Sequence, residues 1–154
     1  MRSREFFEQV REASIDTERI RRQLAQMESR EGVRTQRYEP RVSGGTSDPM
    51  RATDARIDRE GELRKRIEGN YALIDKAHDI IYGPDGEGGV ASLLGTATAD
   101  AMYWRYCAAV TWPEVAKAVC YSRAWCHKAV GIAHDTIDSL GIDAVMKGRG
   151  TAEL

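Results

Sequence analysis

The stretch Thr111–Leu140, TWPEVAKAVCYSRAWCHKAVGIAHDTIDSL, decides how this chain is read. Apolar or small residues fall at Val115, Ala116, Val119, Tyr121, Cys126 and Ala129. That spacing lets two short helices cross steeply around a small shared core. Ser122 stands where the second helix must begin, and its hydroxyl is suited to accept from a backbone N–H two or three residues on. Thr111 plays the same part for the first helix, with Pro113 and Glu114 fitting its first turn. Arg123, His127 and Lys128 then project away from the apolar positions. A donor-rich second helix with a polar start is what reading base edges in a major groove requires.

Upstream, a 4–3 repeat runs from Phe6 through Val10, Ala13, Thr17, Ile20, Leu24 and Met27, predicting one long helix over about 4–30 with a narrow apolar seam. Residues 31–50 contain Gly32, Pro40, Gly44, Gly45 and Pro49 and read as a loop. A second long helix is expected over 51–82, its seam running through Ile67, Tyr71, Ile74, His78 and Ile81. Together residues 1–82 read as a helical hairpin or coiled coil, paired within one chain or between two. The run GPDGEGG at 83–89 marks a linker over 83–90. A third helix is expected over 91–109, with Met102, Tyr103, Tyr106 and Cys107 packing it onto the pair that follows. That gives a three-helix domain over 91–140 and a fraying tail over 141–154. The fold class is therefore all-α, with no strand pattern anywhere.

Charge limits the partners. The 154 residues carry 23 Lys and Arg against 24 Asp and Glu, a formal charge of −1. That argues against a non-specific nucleic-acid coat. From Gly95 onward Arg105, Lys117, Arg123, Lys128, Lys147 and Arg149 are offset by six acids, so the DNA affinity of a monomer is expected to be modest and salt-sensitive. Cys107, Cys120 and Cys126, an odd number on predicted helices, read as reduced and buried thiols. The opening MRSREFFEQVREAS has no apolar run fit for a signal peptide and no later segment suits a membrane span, so a cytoplasmic protein is expected.

Catalytic and metal chemistry find little support. Cys120, Cys126, His127 and His134 do not have finger-like spacing, and Cys126 occupies a core position, so no metal is expected. Cys107 lacks an identifiable orienting acid or nucleophile elbow. Asp135 and Asp138 fall at i, i+3 on a polar face and read as solvated charge rather than an acid–base pair. No glycine-rich loop follows a strand, so no nucleotide or other cofactor is expected, and the chain does not read as an enzyme.

The phrase YWRYCAAVTWPEVAKAVCYSRAWCHKAVGIAHDTI, residues 103–137, resembles the C-terminal motif of RinA-like and ArpU-like phage transcriptional regulators, which are similar to the promoter-reading fourth region of sigma factors. Arg105-Tyr106 matches the family's "RY", Trp112-Pro113-Glu114-Val115-Ala116 its first-helix phrase, and Tyr121-Ser122 the opening of its recognition helix. The family's basic residue within that helix falls at Lys128. Cys120 departs from the pattern, standing where glycine often serves a turn with φ > 0, at a cost of about 1 kcal/mol or more unless the turn is built differently.

The resemblance implies a phage or prophage regulator acting in a bacterial cytoplasm, more often an activator. Its partners would be double-stranded DNA and host RNA polymerase, with the N-terminal helices dimerising or docking on the polymerase. The candidate DNA contacts are Ser122, Arg123, Ala124, His127 and Lys128 on a recognition helix over 122–139, with Thr111 and Arg105 nearby. Each has a plainer reading: solvated charge for Arg123 and Lys128, helix capping for Ser122 and Thr111, neutralisation of an acid for Arg105. Trp125 is expected to pack rather than lie on DNA, and His127 to be exposed. The Arg30, Arg34, Arg37 and Arg41 cluster reads either as a clamp or as ordinary loop polarity. Two other functions fit the pattern: a small-terminase-like DNA-packaging subunit, or a helical adaptor that binds protein and no longer reads DNA.

Overall fold

Along the helix Arg123–Leu140 the positions Cys126, Ala129, Val130, Ala133, His134 and Ile137 are buried. Their steps of three and four residues form one stripe that seats the helix on its neighbours. The computed structural model describes residues 1–36 and 49–148, with side chains over 1–30 and 53–148. Those residues are all-helical, with no strand among them. They form α1 (Ser3–Gln36), α2 (Pro49–Tyr82), α3 (Gly89–Leu94), α4 (Thr96–Met102), a π-helical turn (Tyr103–Cys107), α5 (Trp112–Val119), α6 (Arg123–Leu140) and α7 (Ile142–Lys147). No helix among the described residues is long and apolar enough to cross a membrane.

Two compact units divide the chain: Met1–Ile15 with Asn70–Leu154, and Asp16–Gly69. In the first, Phe6, Phe7 and Val10 of α1 and Ala77, Ile80 and Ile81 of α2 share one core with Val90, Met102, Tyr106, Val115, Val130 and Val145. Each fully buried Val, Ile, Phe or Met side chain of this core contributes about 1.5–3 kcal/mol. The ends of the long helices thus belong with the C-terminal elements. In the second unit Thr17 and Ile20 are buried. Arg66 donates to Asp16 at 2.6 Å, and Gln23, Met27 and Arg30 line a cleft with Arg59 and Leu63. The two helical segments of this unit therefore run antiparallel within one chain.

Several local expectations differ from what is seen. The first helix continues to Gln36, past the loop start expected at 31, and the second begins at Pro49; residues 37–48, with Arg37 and Arg41, lie outside the described residues, and so does the side chain of Arg34. On α2 the buried stripe is Ala77, Ile80 and Ile81, while Tyr71 and His78 are exposed, because the amphipathic rings sit one step off the apolar face. The stretch 83–90 is a packed corner rather than a free linker: Gly89 adopts φ +73, and a Cβ on Gly88 would overlap the Met146 carbonyl oxygen of α7. The third helix is broken at Gly95, φ 99, into α3 and α4, and then widens into the π turn. Within the stretch 141–154 expected to fray, Ile142–Lys147 form α7, anchored by fully buried Val145; residues 149–154 lie outside the described residues.

Candidate nucleic-acid interface

Local chemistry fixes the start of α5. Thr111 is extended at its N-cap, φ −71 and ψ 159, and the reciprocal capping box with Glu114 is complete. The Thr111 N–H donates to Glu114 Oε2 at 3.2 Å, so this carboxylate is engaged in the cap. At the other end Cys120 is left-handed, φ 61 and ψ 35, and its N–H donates to the Ala116 carbonyl. The Tyr121 N–H donates to the same oxygen at 3.2 Å, a closure typical of helix C-termini. Ser122 then caps α6, its Oγ accepting from the Trp125 N–H at 3.1 Å. Three residues, Cys120 to Ser122, therefore join the two helices.

The outward face of this unit carries the residues the sequence singled out. Thr111, Ser122, Arg123, Ala124, His127 and Lys128 are all exposed, together with Lys117. The charged side chains of Lys117, Arg123 and Lys128 make no hydrogen bond or ion pair among the described residues. The acids of α6, Asp135 and Asp138, lie toward its C-terminal half, which leaves the first turns of α6 cationic. A groove of about 300 Å³ lined by Leu94, Thr98, Trp125, Lys128, Ala129 and Ile132 flanks this face.

Stacking, which the spacing did not disclose, sets the side chains of this face. The Trp112 ring lies 3.9 Å from the His127 ring at an interplanar angle of 32°, and the Arg105 guanidinium stands 4.6 Å over Trp112. Tyr121 stacks on half-buried Trp125 at 4.0 Å and 17°. Arg105 is half-buried and donates to the Val110 carbonyl at 3.3 Å. Burial first, and then the neighbouring Arg11, holds its guanidinium below the usual range. This side chain braces the entry to α5 instead of reaching outward. Two tryptophans within this stretch were the available signal for such stacking, since large rings seldom sit on a small domain without a partner.

The cysteines and His134 are spread over different environments. Cys120 is exposed, against the expectation of three buried thiols, because its αL position at the turn points its side chain to solvent; Cys107 and Cys126 are buried. Burial pushes the Cys107 thiol up to about 12 and the Cys126 thiol in the same direction. Neither is primed as a nucleophile. His134 is fully buried, and both ring nitrogens are taken, Nδ1 by Ser3 Oγ and Nε2 by the Tyr106 hydroxyl, each at 2.7 Å. Among the described residues no three His, Cys, Asp or Glu side chains gather as metal ligands do. No family model, curated protein or solved structure matches the chain.

Proposed function

We propose that the protein is a sequence-specific DNA-binding transcriptional regulator of phage or prophage type, which lays the first turns of α6 in a major groove. The observation that carries this reading is the set of exposed, unpaired cations Arg123 and Lys128 at the start of a capped helix, held behind a three-residue turn by α5. In this reading Arg123 and His127 would meet base edges, and Lys128 and Lys117 flanking phosphates. Ser122 positions the helix start, where backbone N–H groups favour an anion, and Ala124 permits close approach. Arg105 and Thr111 act through the structure of α5, as brace and cap. The antiparallel helices of 16–69 serve for dimerisation or for contact with RNA polymerase.

Purified protein and its Arg123→Ala/Lys128→Ala variant would be used to select fragments of the source genome near physiological salt. Enrichment of a discrete promoter-proximal site by the wild type, lost in the variant, supports the reading. Equal selection by both proteins overturns it. The near-neutral charge of −1 then favours the adaptor role, with the helices of 16–69 as its binding element.

A further inference from the structure

Away from the α5–α6 face, rings from two elements form a continuous surface row. His78 and Tyr82, one turn apart on α2, lie 4.9 Å apart. Tyr103 of the π turn lies 6.3 Å from His78 and 6.4 Å from Tyr82, and Trp104 follows at 5.5 Å from Tyr103. The π turn aims them there: the Ala108 N–H donates to the Tyr103 carbonyl five residues back, so the helix takes in one extra residue and rotates Trp104 outward. Trp104 is 38 % exposed, His78 is exposed, and Tyr82 and Tyr103 are half-buried. Contiguous exposed rings on a soluble surface mark a contact site more often than accident.

The carboxylates around this row decide what it would contact. The Tyr82 hydroxyl donates to Asp100 Oδ1 at 2.6 Å, leaving the second carboxylate oxygen of that residue available. Asp75 and Asp79 flank His78 on α2. The nearest lysine on the helix, Lys76, is turned to the other side, 5.5 Å over the Phe6 ring. Ring faces with carboxylates beside them attract a cation and repel phosphate. We infer that this row is a docking surface for an arginine- or lysine-bearing segment of a protein partner, its cation seated over Tyr103 and Trp104 and its charge answered by Asp79 and Asp100. The inference stands apart from the DNA reading, since none of these residues belongs to the α5–α6 face.

The probe is a short acetylated and amidated peptide with two arginines, compared with its citrulline counterpart. Aromatic NMR signals of the full chain are followed during titration. Saturable shifts centred on Tyr103, Trp104 and His78 are expected, with the citrulline peptide binding about tenfold or more weakly. Trp104→Ala and, separately, Asp79→Asn should each weaken binding while leaving the remaining spectrum dispersed; Asp79→Asn keeps the test valid if the tryptophan variant does not fold. Arg123→Ala/Lys128→Ala should bind the peptide as the wild type does, which separates failure here from failure of the DNA reading. Absence of saturation, equal affinity for both peptides, or shifts centred elsewhere would each overturn the proposal.

Discussion

His134 Nε2 lies 2.7 Å from the Tyr106 hydroxyl, and both side chains are buried. On the opposite edge of the ring Nδ1 meets Ser3 Oγ, and the Ser3 N–H donates to Asp138 Oδ1 at 2.8 Å. This chain of contacts joins the first residue of α1, the π turn and α6. Phe7 stands 5.7 Å from the imidazole and 5.2 Å from the Tyr106 ring, closing the cluster with apolar surface. The hydroxyls can donate or accept, so a neutral imidazole in either tautomer is fully satisfied.

The buried imidazole makes stability depend on pH. Burial, and then the nearby Arg4, lowers the His134 pKa from 6.5 to about 4, opposed by Asp138 and Asp135. Between those two values the unfolded chain binds the proton and the folded chain does not, so stability rises with pH across the window. The contribution is fully present above pH 6.5 and is lost as pH falls to about 4, a change of about 3 kcal/mol. Urea midpoints at neutral pH and near pH 4.5 should separate more for the wild type than for His134→Gln. Parallel pH dependences of the two proteins would show that His134 titrates normally in the fold.

Removing one partner tests the network at constant pH. Tyr106→Phe leaves Nε2 without a hydrogen bond in a dry site and should cost about 1–3 kcal/mol at neutral pH. Urea denaturation is the measurement, and an unchanged midpoint would mean that the hydroxyl contributes no net stability.

Gly88 offers a test of the corner between α2 and α3. Its Cα faces the Met146 carbonyl of α7 with no room for a methyl group. Gly88→Ala must push α7 away or shift the turn, at a cost of about 1–3 kcal/mol. Gly88 itself holds φ −109, so its cost is steric, whereas Gly86, whose added Cβ would meet open space but whose φ is +78, reports backbone strain alone when replaced by alanine. Urea midpoints check this, and a Gly88→Ala midpoint equal to that of the wild type would mean that the contact between this corner and α7 is loose.

How far the sequence disclosed these features follows from the range of the interactions involved. The α1 seam is read directly, since Phe6, Val10, Ala13, Thr17 and Ile20 are buried as their spacing requires. Both caps of the α5–α6 pair are equally local and sit at Thr111 and Ser122. The α2 seam was harder: Tyr71 and His78 fit an apolar period as well as Ala77 does, and only the packed neighbours choose between them. The π turn shifts the phase by one residue without any sequence mark, which is why Trp104 emerges where a straight helix would turn it elsewhere. His134 lies on the buried stripe of α6, but its partners Ser3 and Tyr106 are 131 and 28 residues away, beyond the reach of any periodic pattern. Glycines at 83–89 look the same in a linker as in a tight corner; the opposing carbonyl of Met146 is what distinguishes them.

Strain at Cys120 should be relieved by glycine. The residue holds φ 61 with its side chain exposed, so it gives little packing in return. Cys120→Gly should stabilise the fold by about 0.5–1 kcal/mol, whereas the β-branched Cys120→Val should destabilise it by more than that. Thermal melts of the two variants provide the comparison. A glycine variant that melts lower than the wild type would mean that the entropy gained by the unfolded chain outweighs the relief of strain.

The last prediction follows from the proposed DNA reading and concerns the separate parts Arg123 and Lys128 would play in it. Both are exposed and unpaired, but they stand one helical turn or more apart on α6, at its first residue and at its sixth. A residue that meets a phosphate contributes to affinity through counterion release, whereas one that meets a base edge contributes mainly to choice of sequence. Lys128→Ala should therefore weaken binding to all sequences alike and reduce the slope of log affinity against log salt by about 1. Arg123→Ala should cost about 1–3 kcal/mol on the selected site with a smaller loss on unrelated DNA, narrowing the ratio between them. Fluorescence anisotropy over a salt series, on the selected site and on a scrambled duplex, separates the two roles. Identical loss on both duplexes for both variants would reduce α6 to a non-specific cationic surface, and the Arg123 assignment would fall.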